Sequence, residues 1–321
     1  MAFYEDERGF LYESVKWHTR KKHVFIEKYL EIWTQNVRKD RPTLDIIDLF
    51  ASTGLCYCDE AERYGLTEPT WAGSALLAAS CLQRYPRGKI LYLNTYNPDQ
   101  EDCKKQKQNL IRLLSGVTGF ELKLSSHPIE KALPEAIKEI NPRYPNLWLL
   151  DPYGASDLPW EIVQTIGNFR GRYQRNGVEV IRKPEMIITL VTFDLQRNID
   201  TNPHILSTAL GLPEKEWRPK FDALIKSGKN TREAIIELYV GRLADLYEKP
   251  PIVAEINSTD ERNIVYCLLL CTDHNAGHYV MELRKLREME EWRINEWRKE
   301  AVKITARRRL APDQSDLSKF F

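Results

Sequence analysis

Apolar positions along this chain recur with two different periods. Between residues 14 and 37 they fall at helical spacing, most clearly Ile26, Tyr29, Leu30, Trp33 and Val37, while Lys and Arg fill much of the other face. Val15, Trp17 and Val24 extend the pattern less regularly. Asp40 to Thr43 reads as a turn containing Pro42, and Leu44 to Phe50 as a short, mostly apolar strand. A long loop with Gly65, Pro69 and Gly73 comes next, and then Ser74 as N-cap of a helix Ala75–Tyr85. The spacing predicts a strand at Lys89–Asn94, a polar helix opened by Asp99 and running to about Ser115, and a strand at Phe120–Leu124. A helix then follows Pro128 to about Ile140, a buried strand occupies Leu147–Leu150, and a further helix runs from about Pro159 to Tyr173. The segment Pro184–Phe193 holds the next strand, from Met186 to Val191.

Apolar strands alternating with amphipathic helices point to a doubly wound, mostly parallel sheet. Residues 201–248 read as helical, an insertion or lid. Ile252–Ile256 and Ile264–Thr272 read as two more strands, joined by the polar turn Asn257 to Asn263 and so antiparallel to each other. A sixth strand with an antiparallel seventh is how a methyltransferase core ends. The expected architecture is therefore α/β with a Rossmann-like class I methyltransferase core, a mostly parallel sheet whose last strand is antiparallel. Along the chain this gives a helical extension at 1–43, the core at 44–200, a helical insertion at 201–250 and the final strand pair at 251–275. A long charged helix at 276–311 and a flexible tail at 312–321 complete the chain. No internal repeat is visible.

Composition narrows the picture without redirecting it. Apolar residues make up 42% and charged residues 29%, an ordinary globular mix, and the formal net charge is +1. Any contact with nucleic acid must then use a local patch. The six cysteines are Cys56, Cys58, Cys81, Cys103, Cys267 and Cys271, and none forms the two-residue spacing of a zinc site. They read as reduced thiols of an intracellular protein, cytoplasmic or nucleoid-associated. No apolar run approaches the ~20 residues that span a bilayer, so no membrane partner is expected. His204, His274 and His278 are isolated and read as structural, and no metal is expected.

The candidate chemistry sits at strand ends, because ligands of open α/β sheets bind beyond the carboxyl ends of the strands. After the first core strand comes Asp48-Leu49-Phe50-Ala51-Ser52-Thr53-Gly54. Small residues there let a ligand approach the backbone, and Gly54 can take a positive φ. Asp48 either accepts a hydrogen bond from an ammonium group, such as that of a methionine moiety, or caps a turn. Asp48, Phe50, Ala51, Thr53 and Gly54, with Asn94 and Ser126 at the next two strand ends, form the candidate S-adenosylmethionine site. At the end of the fourth strand stands Asp151-Pro152-Tyr153-Gly154. There Asp151 can accept a hydrogen bond from an amine or hydroxyl about to be methylated, and Tyr153 can stack on a base. The alternative is a tight turn.

In order and spacing, these features resemble the three-Cys-motif partner proteins, a methyltransferase-like family. The resemblance covers most of residues 14–290. It rests on Trp17, Lys21 and Lys28-Tyr29-Leu30, then Asp48-Leu49-Phe50-Ala51, Gly73-Ser74, Asp151-Pro152-Tyr153-Gly154 with Trp160, and the strand pair ending near Met281. It implies S-adenosylmethionine as cofactor and a partner carrying a three-cysteine, radical-SAM-like iron–sulfur motif, which this chain itself lacks. Three positions depart from the pattern. Ser52 replaces a glycine, Asn94 replaces the Asp or Glu that holds the ribose hydroxyls, and Ser125-Ser126-His127 stands where an Asp often reads the adenine amine.

The tail carries a separate signal. Gln314-x-x-Leu317-x-x-Phe320-Phe321 matches the PIP-box-like peptide that docks on a PCNA-type sliding clamp. In a short 3₁₀ helix Leu317 and Phe320 fall one turn apart and, with Phe321, make an apolar plug, while Gln314 offers its amide to a polar pocket. The alternative is a tail folded back onto the core with Phe320 and Phe321 buried. The charged helix before it reads as solvated and laced with i,i+4 pairs, with a nucleic-acid surface as the alternative. Two functions follow. One is a nucleic-acid methyltransferase recruited to the clamp in DNA repair or replication. The other is a catalytically degenerate adaptor linking the iron–sulfur partner or DNA to the clamp.

Overall fold

The structure is a computed structural model and describes residues 2–40, 43–61, 69–84, 88–97, 99–175, 177–257 and 264–273. The charged helix expected at 276–311 and the tail with Gln314, Leu317, Phe320 and Phe321 lie outside the described residues. In chain order the elements are β1 (Phe3–Glu5), β2 (Leu11–Ser14), α1 (Trp17–Asp40), β3 (Leu44–Asp48), β4 (Leu55–Tyr57), β5 (Thr70–Ala72) and α2 (Ser74–Arg84). Next are β6 (Gly88–Asn94), α3 (Gln100–Leu113), β7 (Glu121–Ser125), α4 (Ile129–Glu139), β8 (Asn146–Leu150) and α5 (Trp160–Asn168). The remainder are β9 (Gly171–Arg175), β10 (Val178–Arg182), β11 (Glu185–Leu190), α6 (Thr192–Asn198), α7 (Pro203–Leu210), α8 (Glu214–Lys226), α9 (Thr231–Leu243), β12 (Ile252–Asn257) and β13 (Ile264–Cys271).

The fold is α/β, built on a seven-stranded, mostly parallel sheet in the order β12-β13-β11-β8-β3-β6-β7. Its parallel pairs include β3 with β8, β8 with β11 and β6 with β7. Strand β13 runs antiparallel between β11 and β12. β3, β8 and β11 are buried on both faces from end to end, which is why their sequences are mostly apolar rather than alternating. β12 and β7, at the two edges, are only partly buried and carry polar positions.

The chain divides into two compact units. The described residues of the first are 2–40, 43–44, 51–61, 69–84, 88–97 and 99–127. In it, α1 buries Ile26, Tyr29, Leu30, Trp33 and Val37, the face read from the helical spacing. It meets α2, whose Ala and Ser positions allow close approach, and the Thr34 hydroxyl donates to the Leu30 carbonyl at 2.7 Å. Asp99 caps α3 by accepting the backbone N–H groups of Glu101 and Asp102. Two features were not read from the sequence. The first residues form a hairpin, β1 with β2, held by Asp6, which accepts from the Arg8 and Phe10 backbone N–H groups and from the Tyr12 hydroxyl. The long loop after residue 50 contains β4 and β5, which extend that hairpin into a separate four-stranded sheet, β1-β2-β4-β5. Strands of three residues carry too little periodicity to be legible alone.

The second unit comprises residues 45–50 and 128–275, of which 45–50, 128–175, 177–257 and 264–273 are described. The helix expected to reach Tyr173 stops at Asn168, and Tyr173 lies in β9 of a two-stranded sheet with β10. Gly171 opens β9 where the backbone runs close to the turn ahead of β8. A Cβ there would lie 2.0 Å from the Pro142 carbonyl oxygen, so only glycine lets the chain cross the turn ahead of β8. The region expected to be helical holds α6, α7, α8 and α9, beginning at Thr192 rather than 201. Asn230 and Glu233 form a capping box at the start of α9.

Candidate functional site

In the second unit, β3, β8 and β11 are mutually parallel, so their carboxyl ends share one edge. The chain departs from β3 and β8 in opposite lateral directions, to β6 on one side and β11 on the other, which makes the gap between them a topological switch point. Asp48 closes β3 and is fully buried. One of its carboxylate oxygens accepts the Phe50 N–H at 3.0 Å, so the side chain does cap the turn. Leu49 N–H donates to the Leu149 carbonyl, and Phe50 and Ala51 are buried.

Asp151 and Tyr153 follow β8 and are half-buried. The loop that carries them is pinned at its far side. Gly154 N–H donates to Asp157 Oδ2 at 2.8 Å, and Ala155 N–H donates to Asp194 Oδ2 at 3.0 Å. Asn198 Nδ2 donates to Asp194 Oδ1 at 3.0 Å, which orients that carboxylate. Asp157 and Asp194 thus hold the loop on which Asp151 stands. Neither was singled out in the sequence; Asp194 meets Ala155 across 39 residues, a separation that only folding closes.

In the first unit, the rest of the loop after β3 is a clasp. Thr53 Oγ1 donates to the Leu55 carbonyl and accepts the N–H groups of Leu55 and Glu13. A hydroxyl has one proton and two lone pairs, so this one is fully occupied within the protein. The Thr53 carbonyl accepts from Asn109 Nδ2 at 2.8 Å, and Asn109 also bonds the Leu11 backbone in both directions. Gly54 takes φ 82°, and its carbonyl accepts the Gly73 N–H. Ser52 Oγ is buried and makes no hydrogen bond among the described residues.

Asn94, fully buried at the end of β6, clamps the chain after β7. Its Oδ1 accepts His127 N–H at 3.0 Å and its Nδ2 donates to the His127 carbonyl at 3.1 Å. The amide expected at a ribose is engaged with backbone instead. Ser126 is half-buried just after β7.

All six cysteines are free thiols and buried, with Cys81 pushed up to about 11 and Cys267 to about 12 by burial. Neither is a nucleophile near neutrality. Among the described residues, Cys58, Asp59 and Glu60 alone group as possible metal ligands, and Lys16 is ion-paired to both carboxylates. No helix among the described residues is long and apolar enough to cross a membrane.

At the start of α1, burial lowers His18 to about 4, with Lys22, Lys21 and Lys16 adding to the shift and Glu60 opposing it. The folded protein therefore holds His18 neutral while the unfolded chain takes up a proton near 6.5. Stability is unaffected by this group above pH 6.5 and falls as the pH drops towards 4, by on the order of 3 kcal/mol over the whole window. Urea melts of the wild type and His18→Gln at pH 7.5 and 5.0 are expected to show a smaller loss in the variant. Equal losses would assign the acid sensitivity elsewhere.

No family model matches the chain, and no curated protein matches it. Among solved structures, protein LPL1258 from Legionella pneumophila, described under the family model DUF519, is similar at 13% identity and a TM-score of 0.48 over 84% of this chain and 91% of that one.

Proposed function

We propose that the protein is an S-adenosylmethionine-dependent, Rossmann-like methyltransferase acting on nucleic acid, brought to a PCNA-type sliding clamp by its C-terminal peptide. The observation that carries the reading is the pair of acidic loops at the switch point. Asp48 closes β3 and Asp151 follows β8, on the two strands between which such a sheet binds its ligand. Strand order supports it further. Counted from the first core strand, the sheet reads 3-2-1-4-5-7-6 with the seventh antiparallel, as a methyltransferase core ends.

The cofactor would supply an electrophilic methyl group on a sulfonium. The residues present fit it in part. Ser52, in place of a glycine, sets a buried hydroxyl without a partner among the described residues into the loop after β3, and an unmet buried hydroxyl is costly unless a ligand satisfies it. Asp48 would turn its carboxylate charge to an ammonium group. The side chains of Thr53 and Asn94 are engaged with the protein, so they hold the loops rather than the ligand. Asp151 would orient the acceptor and take its proton, and Tyr153 would stack on its base. Calorimetry with S-adenosylmethionine on the folded protein is expected to give saturable binding that Ser52→Ala weakens. A folded protein that binds none ends this reading.

The engagement of Thr53 and Asn94 favours a second reading, the degenerate adaptor that links a three-Cys-motif iron–sulfur partner or DNA to the clamp. Both readings use the tail. Replacing Phe320 and Phe321 together by alanine is expected to lower clamp affinity at least ~100-fold, since each removes an apolar anchor. Unchanged affinity in a pull-down or titration would discard the clamp.

A further inference from the structure

Phe193 is a large aromatic side chain left 45% exposed on the first turn of α6, directly after β11. β11 is parallel to β8, so α6 starts at the same edge of the sheet as Asp151-Pro152-Tyr153-Gly154. The two segments are tied together, because Asp194, the residue after Phe193, accepts the Ala155 N–H at 3.0 Å. One helical turn on, the Arg197 guanidinium lies over the Phe193 ring at 5.6 Å from its centre. Arg197 is exposed and forms no ion pair among the described residues. The nearest acid on the same helix, Asp194, is held by Ala155 N–H and Asn198 Nδ2.

We infer that Phe193 and Arg197 form a platform for single-stranded nucleic acid beside the candidate catalytic loop. This rests on the nucleic-acid reading of that loop and deepens it by naming where the strand is held. A base stacks on an exposed aromatic face whatever its identity, and a neighbouring phosphate takes the cation. The cation–π contact stabilises the exposed pair only modestly in water, and it leaves both the ring and the guanidinium accessible to a ligand. The gain from both being exposed comes when a planar, anionic ligand covers them. A base held on Phe193 positions the adjoining nucleotide for Asp151 and Tyr153 on the neighbouring loop, the arrangement needed when a target base leaves its stack.

The test is fluorescence anisotropy with labelled single-stranded RNA and single-stranded DNA of one sequence, without cofactor. The wild type is expected to bind at least one. Phe193→Ala is expected to weaken binding about 5- to 100-fold, the range of one base–aromatic stack. Phe193→Trp should retain affinity, whereas Phe193→Leu, which keeps apolar area without a π-face, should lose it. Arg197→Gln is expected to reduce the slope of log affinity against log salt by about 0.7, the loss of one phosphate contact on a single strand. Because both side chains are exposed, the variants should melt like the wild type. Preference for RNA or DNA identifies the substrate. If the wild type binds and Phe193→Ala binds equally well, the platform is wrong and the nucleic-acid reading stands. If the wild type binds neither strand, both fall.

Discussion

On the proposed methyltransferase reading, Asp151→Ala is expected to lower the rate of methyl transfer to nucleic acid by about 10²–10⁴-fold while S-adenosylmethionine affinity changes little. That range is the usual contribution of a positioned acid–base group. The split between rate and affinity follows from topology. Asp151 follows β8, the strand end at which the acceptor is proposed to sit, whereas the proposed cofactor loop follows β3. Asp151→Asn, which keeps an acceptor oxygen but not the charge, should fall between the two. Single-turnover assays with labelled cofactor, paired with calorimetry, separate these effects. A variant as active as the wild type would remove Asp151 from the chemistry. If the protein shows no transfer activity and Asp151→Ala preserves its function in cells, the adaptor reading is the one left.

Gly171→Ala is expected to cost about 3 kcal/mol or more of stability, a large effect for one added methyl group. The added carbon would stand 2.0 Å from the Pro142 carbonyl oxygen, 2.3 Å from its carbon and 2.6 Å from the Arg143 nitrogen. All three are backbone atoms, so no rotamer change relieves the clash. The turn that must yield leads into β8, where Asn146 receives the Trp148 indole N–H at 2.8 Å and the Pro145 carbonyl accepts the Asp45 N–H. Strain there is transmitted to the base of the strand that carries Asp151. Gly154→Ala makes the control. Its φ of −134° is ordinary extended backbone and its nearest contact would be 3.5 Å, so it should change stability by less than ~1 kcal/mol. Thermal melts of the two variants beside the wild type check the contrast. A Gly171→Ala protein that melts within about a degree of the wild type would contradict it.

The long elements were legible because their signals are local. The face of α1 follows from apolar residues three and four apart, Asp99 announces α3 by a cap that spans three residues, and β3, β8 and β11 stand out as short, mostly apolar segments. The antiparallel β12–β13 pair was visible from the polar turn between its strands. The candidate loops were found for the same reason, since each immediately follows such a strand. The hairpins at 3–14 and 171–182 were not, because short strands are stabilised by cross-strand hydrogen bonds rather than by a period of their own.

Side-chain identity placed Thr53 and Asn94 at strand ends and suggested ligand contacts, but identity does not say which partner a polar group will find. Glu13, forty residues earlier, takes the Thr53 hydroxyl, and His127, thirty-three residues later, takes the Asn94 amide. Ser52, the apparent defect in the loop, by contrast keeps a buried hydroxyl with no hydrogen bond among the described residues. The order of strands, and with it the switch point, also depends on pairings between residues distant along the chain. The exposure of Phe193 under Arg197 depends on how α6 is pinned to the loop after β8. Periodicity and caps are properties of neighbours in sequence, so the chain alone determined its helices, its central strands and the two loops worth suspecting. Hydrogen-bond partnership and exposure are properties of neighbours in space, so only the folded chain decided which of their side chains are engaged in structure and which stand open to solvent.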